Sequence, residues 1–287
     1  MRPLLPDRLK AVWDSVDRHE RTADDAAREQ ERLVGEHRSV WARALALDHH
    51  HTLEQDTFAE LAAYFPRLDA AELRARCTEA TSHLKADWPA EAGARAIEQF
   101  YDANDGHIFD LMWWHTLRDD ASPLAYVNAL DLARARAGRR YLDFGSGVGS
   151  GAILFARHGF AVGLADISST LLEFARWRLG RRGISASFID LKASDLPENA
   201  FDIITAMDVF EHLTDPVGTV DRLARALKPG GVIFGRFAAE PDADRPQHIV
   251  LDFGPTLARF EELGFVEAWR DVWLWGHLAF QKPAIAV

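Results

Sequence analysis

Cysteine is almost absent from this chain: Cys77 is the single one in 287 residues. That excludes a disulfide framework and any cysteine-based zinc cluster. Long hydrophobic runs are missing too, none approaching the ~20 apolar residues that a membrane-spanning helix needs. The opening MRPLLPDRLKAVWDSVDRHER has no apolar core of the length a secretory signal carries, so a cytoplasmic protein with no membrane partner is expected. Excess positive charge is also lacking. Lys+Arg number 33 against 44 Asp+Glu, a formal net charge of -11, and no Lys/Arg-rich run occurs, which argues against nucleic acid as a partner. Lysine is scarce within the basic set: Lys10, Lys85, Lys192, Lys228 and Lys282, the other 28 being arginine. With abundant alanine, that skew reads as GC-rich bacterial coding rather than a functional signal. What remains, 48% hydrophobic and 27% charged residues, is the composition of a globular chain of one large or two modest domains, not of a disordered one.

The pattern changes near Gly138. Before it glycine is sparse and apolar residues fall three and four apart, which predicts roughly six or seven helices packed on one another. Asp69-Ala-Ala-Glu72 has capping-box spacing and predicts a helix after Pro66. Asp87 and Pro89 predict another helix start. Glu20 to Arg38 reads as a solvated helix face. From Arg139 short apolar runs alternate with amphipathic segments. Tyr141–Phe144, Ala161–Ala165, Ala186–Ile189, Phe201–Met207 and Val232–Phe237 read as strands, with helices at Gly151–Arg157, Thr170–Leu179 and Pro216–Leu227. Phe265–Trp269 and Val272–Phe280, separated by Arg270-Asp271, predict a closing antiparallel hairpin. The expected fold is therefore α/β: a Rossmann-like, doubly wound, mostly parallel sheet over residues 139–287, preceded by an all-helical domain over residues 1–138.

Tyr141-Leu-Asp-Phe-Gly-Ser-Gly-Val-Gly149 follows a strand and opens a helix. Gly145, Gly147 and Gly149 let the backbone turn sharply and approach a ligand, and the free N–H groups of the helix starting at Ser150 or Gly151 suit a polar or anionic group. Gly159 is placed to stop that helix. Asp166 ends the next strand, where a carboxylate can hold a ribose diol. Gly147-Val-Gly-Ser-Gly-Ala152 also fits the dinucleotide pattern G-x-G-x-x-G/A, so an NAD-linked oxidoreductase is one reading. Asp143, two residues before the first glycine, suits a ligand with a cationic amino group better than a pyrophosphate.

Here the sequence resembles the class I S-adenosylmethionine (SAM)-dependent methyltransferases, whose first motif D/E-x-G-x-G-x-G is met by Asp143, Gly145, Gly147 and Gly149. The resemblance continues through Ala165-Asp-Ile-Ser168, Ser194-Asp-Leu-Pro197 with Phe201-Asp-Ile-Ile204, Asp208-Val-Phe-Glu-His-Leu-Thr-Asp-Pro216 and Leu227-Lys-Pro-Gly-Gly231, and closes near Glu262-Leu-Gly-Phe265. It covers about residues 139 to 281, about half the chain. It implies SAM as cofactor, with the glycine loop and Asp143 on its methionyl part, Asp166 at the ribose hydroxyls, Asp190 or Leu191 beside adenine, and Ile167 and Asp208 also among the cofactor-binding residues. It also implies that Tyr101, from a preceding helix, lies over the methionyl group. The spacing from Asp190 to Leu196 is about two residues longer than the family's usual one.

Asp208-Val-Phe-Glu211-His212 follows the fourth strand of this half. An acid at i with Glu and His at i+3 and i+4 can converge on one side of a helical turn, and two carboxylates and an imidazole are a divalent-ion set. The segment resembles the E-x-x-E-H element of ubiquinone-type O-methyltransferases and of small-RNA 2′-O-methyltransferases, in which it binds a divalent ion. That implies Mg²⁺ or another divalent cation on Asp208, Glu211 and His212, with His248 as an extra ligand. The same segment serves elsewhere in this fold only as pocket lining or a helix cap, which leaves Glu211, His212 and His248 as general-base candidates. Asp215-Pro216 reads as a cap and first-turn proline.

His49, His50 and His51 follow Asp48, but consecutive helical side chains diverge, so at most two could share an ion. The stretch Phe100 to His115 is rich in aromatics. Trp113 and Trp114, with His107 and His115, are candidates for the roof over an acceptor, and Arg236 for pairing with an anionic acceptor group. Trp269, Trp273 and Trp275 in the final hairpin suit an aromatic acceptor or a dimer interface. The expected function is a SAM-dependent methyltransferase of a small aromatic or hydroxylated metabolite, with oxygen favoured as acceptor. Carbon or nitrogen methylation, a SAM-consuming cyclisation and a non-catalytic SAM-binding protein are the alternatives. The helical region could cover the acceptor, dock a carrier protein or form a homo-oligomer.

Overall fold

The computed structural model describes residues 2–47, 50–89, 93–238 and 241–284. Among the described residues eight α-helices precede the sheet: α1 Leu5–Asp17, α2 Ala23–Leu45, α3 Leu53–Tyr64, α4 Ala70–Thr78, α5 Ala80–Asp87, α6 Ala94–Ala103, α7 Gly106–Trp114 and α8 Ala125–Arg134. Their number exceeds the expected six or seven partly because Glu79 leaves the helical region (φ -106, ψ 2) and splits one amphipathic stretch into α4 and α5. Asp69 caps α4 as its spacing predicts, accepting the N–H groups of Ala71 and Glu72 at 2.8 and 2.9 Å. Thr22 caps α2, whose outer face carries exposed Arg28–Asp25 and Arg32–Glu29 pairs. Asp87 is a correction. It closes α5 rather than opening a helix, its carboxylate accepting from Asn104 Nδ2 at 3.0 Å; a proline soon after a helix end serves as a stop.

The second half runs β1 Arg140–Phe144, α9 Ser150–Arg157, β2 Ala161–Asp166, α10 Ser169–Arg181, β3 Ala186–Asp190, β4 Phe201–Ala206, α11 Pro216–Ala226, β5 Leu227–Arg236, α12 Gly254–Glu262, β6 Val266–Arg270 and β7 His277–Gln281. The sheet order is β3-β2-β1-β4-β5-β7-β6. The first five strands pair in parallel, and β7 lies antiparallel between β5 and β6. This is the expected doubly wound sheet with a closing antiparallel pair.

Three boundaries differ from the sequence expectation. β5 starts at Leu227, because Leu227 pairs with Phe201 before the register jumps to Val232 opposite Ile203. α12 was not foreseen. The segment Val272–Trp275 is a loop rather than strand, because the Asp271 carboxylate gathers the N–H groups of Trp273, Leu274 and Trp275 at 2.9, 2.8 and 2.8 Å. Trp273 is exposed on that loop, whereas Trp269 is core: it stacks on Phe234 and donates to Asp7 of α1 at 3.0 Å.

Alternation along β1 separates two cores. Tyr141 faces a cluster containing Phe155, Phe234, Trp41, Leu45, Tyr126 and Leu130. Leu142 and Phe144 face the opposite cluster with Phe210, Leu223 and Phe260. The first cluster crosses the boundary expected at Gly138, so the helical half and the sheet share one core. Trp41 of α2, fully buried, ties the two by donating to the His115 carbonyl at 3.0 Å. No helix among the described residues is long and apolar enough to cross a membrane.

Candidate active site

A cavity of about 410 Å³ opens at the carboxyl ends of β1, β2 and β4, where the order of an open parallel sheet reverses and crevices form. Its floor is the glycine loop. Gly145 and Gly147 have φ of 68 and 50, in the left-handed region that side chains disfavour. Neighbours crowd both: a Cβ on Gly145 would meet Val209 at 2.4 Å, and one on Gly147 would meet Leu111 of α7 at 2.6 Å. Gly149 (φ 77) forms the turn into α9 and packs on Leu164, Ala175 and Leu179, so it shapes the loop from the core side.

The acid of the motif lies behind the loop. Asp143 is fully buried, accepting from Tyr126 Oη at 3.3 Å, Thr205 Oγ1 at 3.1 Å and the Ala152 N–H at 3.0 Å. Burial lifts its carboxyl to about 7 despite those donors. It does not face the cavity, unlike the contact with a bound amino group that the resemblance implies. Asp166 is on the cavity wall. Its carboxylate accepts from the Gly147 N–H at 2.8 Å and the Ser168 N–H at 2.9 Å, which fixes it against the loop; burial raises its pKa. Ile167 and Leu191 line the same end. Asp190 instead pairs with Lys192 at 3.3 Å and accepts that residue's N–H at 2.9 Å, off the wall.

The other end holds the acid–imidazole cluster. Glu211 and His212 sit on a single 3-10 turn, Phe210–His212, after β4. The Glu211 carbonyl accepts from the Ile249 and Val250 N–H groups at 2.8 and 3.0 Å. That pairing lays the segment carrying His248 across the turn and sets its ring 4.9 Å from that of His212. Glu211, His212 and His248 each offer a ligand atom, all within 4.8 Å of one another. Asp208 is not in that set: it adopts a left-handed φ of 49 and pairs with Arg236 at 3.1 Å.

Glu211 is 1% exposed and its Oε2 has no partner; burial, then the Asp208 charge, push it up to about 8. The Gln247 carbonyl lies 3.0 Å from His212 Nδ1. A carbonyl can only accept, so Nδ1 carries the proton and Nε2 the lone pair. Burial and then His248 drive His212 down to about 3, keeping it neutral.

Tyr101 reaches this cluster rather than standing apart over the loop: its hydroxyl is 3.0 Å from His212 Nδ1 and its ring stacks on His107. Trp114, His107 and His115 line the cavity, and burial drives the two imidazoles down to about 4 and 3. Trp113 is off the cavity wall: it packs beside Phe58 and donates to Asp119 at 2.6 Å. His51 is 3.0 Å from Asp56; Asp48 and His49 lie outside the described residues.

Sequence reasoning missed Leu111, Tyr126, Arg222, Arg245 and Gln247, all on the wall. Tyr126 sits in an apolar helical pattern that reads as core. Arg245 and Gln247 flank His248 in a loop whose course no local pattern gives.

The fold and site together define a doubly wound α/β domain with a cavity at its switch point, where this class of fold binds its ligands. Residues 142–235 match the methyltransferase-domain family model. A ubiquinone biosynthesis O-methyltransferase of Thiobacillus denitrificans is 34% identical over 130 residues, 42% of this chain and 56% of that protein. One of Vibrio cholerae is 32% identical over 148 residues, 47% of this chain and 60% of that one. The fold of the CurJ carbon methyltransferase superposes over 80% of this chain and 71% of that chain with a TM-score of 0.52 at 16% identity. Over the matched part, the chain carries a methyltransferase domain similar to class I SAM-dependent methyltransferases. It spans 56% and 60% of the length of these two curated relatives.

Proposed function

We propose that this protein transfers the methyl group of SAM to a hydroxyl of a small aromatic or hydroxylated acceptor, with a divalent ion held by Glu211, His212 and His248. The observation that carries this reading is the orphaned, buried Glu211 Oε2 beside two neutral imidazoles, in the same cavity as the glycine loop and Asp166. A buried carboxylate oxygen without a partner is costly, and a cation or an acceptor hydroxyl relieves it. The curated relatives, named for O-methylation in ubiquinone biosynthesis, support oxygen as the acceptor atom.

SAM supplies an already activated methyl group on a sulfonium, and a divalent ion lowers the pKa of a hydroxyl it touches. The chain's part is alignment, exclusion of water and handling of one proton. Gly145 and Gly147 present backbone to the methionyl end, Asp166 takes the ribose hydroxyls, and Ile167 and Leu191 flank the base. Trp114 and Leu111 close the cavity against water. With the ion bound, the Nε2 lone pair of His212, left free by the Gln247 carbonyl's hold on Nδ1, and the Glu211 carboxylate would serve as its ligands; without an ion the same two groups are the proton acceptors nearest to hand. Three of the four expected ligands fit the ion; Asp208 joins only by leaving Arg236, which otherwise keeps that guanidinium from an anionic acceptor.

The test is SAM turnover with catechol-type acceptors, read as S-adenosylhomocysteine formed, with and without EDTA. The account expects methylated product and loss of activity in chelator. Methylation indifferent to chelator removes the ion, and release of methylthioadenosine removes methyl transfer. The pH dependence has a definite sign. Glu211 holds its proton up to about 8, and an ion needs the carboxylate. Ion affinity should therefore rise about tenfold per pH unit below that value and level off above it. His212, pushed down to about 3, is already neutral over this range and adds no further slope. Mn²⁺ titrations from pH 6 to 9 check this, and a flat profile contradicts it.

A further inference from the structure

We propose that the N-terminal helices set the shape of the glycine loop through Glu60 and Arg178, which makes Arg178 a positioning residue for the cofactor. Arg178 of α10 is 2% exposed and reaches in two directions. Its Nη1 donates to the Val148 carbonyl and to Ser150 Oγ, both at 2.9 Å. Val148 lies between Gly147 and Gly149, and Ser150 opens α9, so one guanidinium holds the loop from behind at its tightest turn. Its Nε donates to Glu60 Oε2 of α3 at 3.0 Å.

Glu60 is 1% exposed and carries a second arginine. Arg182 donates to Glu60 Oε1 at 2.5 Å and to the Leu45 carbonyl at 2.6 Å. Leu45 ends α2, whose carboxyl terminus carries the negative end of the helix dipole. One carboxylate and one helix end from the N-terminal half thus balance two guanidinia buried in the methyltransferase half. A buried charge without its partner is strongly unfavourable, so such a pair fixes geometry more than it adds stability. The consequence falls on the loop. Three glycines at positive φ have little conformational preference of their own, and the Arg178 fork supplies the restraint. The helical half therefore does more than roof the cavity: it completes the cofactor loop. This inference rests on the reading of that loop as the SAM site.

The test uses full-length Arg178→Lys, which keeps the charge facing Glu60 but cannot bridge to both loop acceptors, and Glu60→Gln as a second variant. S-adenosylhomocysteine affinity is measured by calorimetry, and hydrogen exchange of the 144–152 peptide is measured without ligand. Leu33→Ala, in the separate α1–α2 cluster, serves as a control for general destabilisation. The expected result is a Kd raised about tenfold or more in Arg178→Lys, a change of at least one decade in binding, with faster exchange of the loop peptide. Leu33→Ala should lower Tm and leave both readings unchanged. If Glu60→Gln fails to fold, Arg178→Lys decides alone. A folded Arg178→Lys with the wild-type Kd overturns the inference. If the wild-type protein binds no S-adenosylhomocysteine, the SAM reading fails on its own, and wild-type exchange in the Arg178→Lys loop still overturns this one.

Discussion

Replacing Glu211 by alanine is expected to cut methyl transfer by about 10²-fold or more, the loss typical of removing a metal ligand or a positioned proton acceptor. The Kd for SAM should stay within about twofold, because that side chain lies at the acceptor end and touches none of the glycine loop. The asymmetry follows from the turn carrying it. Glu211 is held by its own carbonyl's bonds to Ile249 and Val250, so the side chain can be removed without disturbing the backbone that places His248. Its Oε2 has no partner to lose, so removing that buried orphan acceptor should cost the fold little. Single-turnover rates with matched SAM titrations check this. Retained turnover would remove Glu211 from the chemistry, and parallel losses of turnover and SAM affinity would mean that the two ends of the cavity are not independent.

Asp166→Ala should show the opposite split, with SAM affinity reduced about 10²-fold by loss of two charge-assisted hydrogen bonds to a ribose diol, each contributing roughly 1.5–3 kcal/mol. Part of that loss is indirect, since the Asp166 carboxylate also accepts the Gly147 N–H at 2.8 Å and so holds the loop. Asp190→Ala is the comparison. That carboxylate sits one strand away and pairs with Lys192 off the cavity wall, so its removal should change the Kd only a few-fold. Calorimetric titration of both variants separates the positions. Equal losses would place the ribose beyond Asp166.

The glycine loop, Asp166 and the Glu211–His212 turn were legible in the sequence because each is a local pattern: a few adjacent residues whose spacing alone fixes where the backbone turns. The strand and helix succession was legible for the same reason, through periodicity. His248 could be named, but its placement depends on a segment pinned by the Glu211 carbonyl, which no spacing reveals. Asp143 shows the converse. Its motif position was plain, yet Tyr126, Thr205 and Ala152 from three other elements occupy it and hide it from the cavity. The least legible feature is the Glu60–Arg178 pair, whose members lie 118 residues apart. Neither residue stands out from the helical charge pattern around it, and only the folded core brings them together. The loop at Asp271 escaped notice because four apolar residues, Val272 to Trp275, following a strand look like more strand until one carboxylate claims the N–H groups of the last three.

The central claim is that the cavity above Gly145 and Gly147 binds SAM beside a divalent ion. Isothermal titration of the purified protein with SAM, with Mg²⁺ and with EDTA, tests it most directly. The account predicts one SAM per chain under both conditions, together with a bound ion that EDTA strips and Glu211→Ala abolishes. SAM binding without any ion would keep the cofactor site and remove the metal. No SAM binding at all would contradict the account.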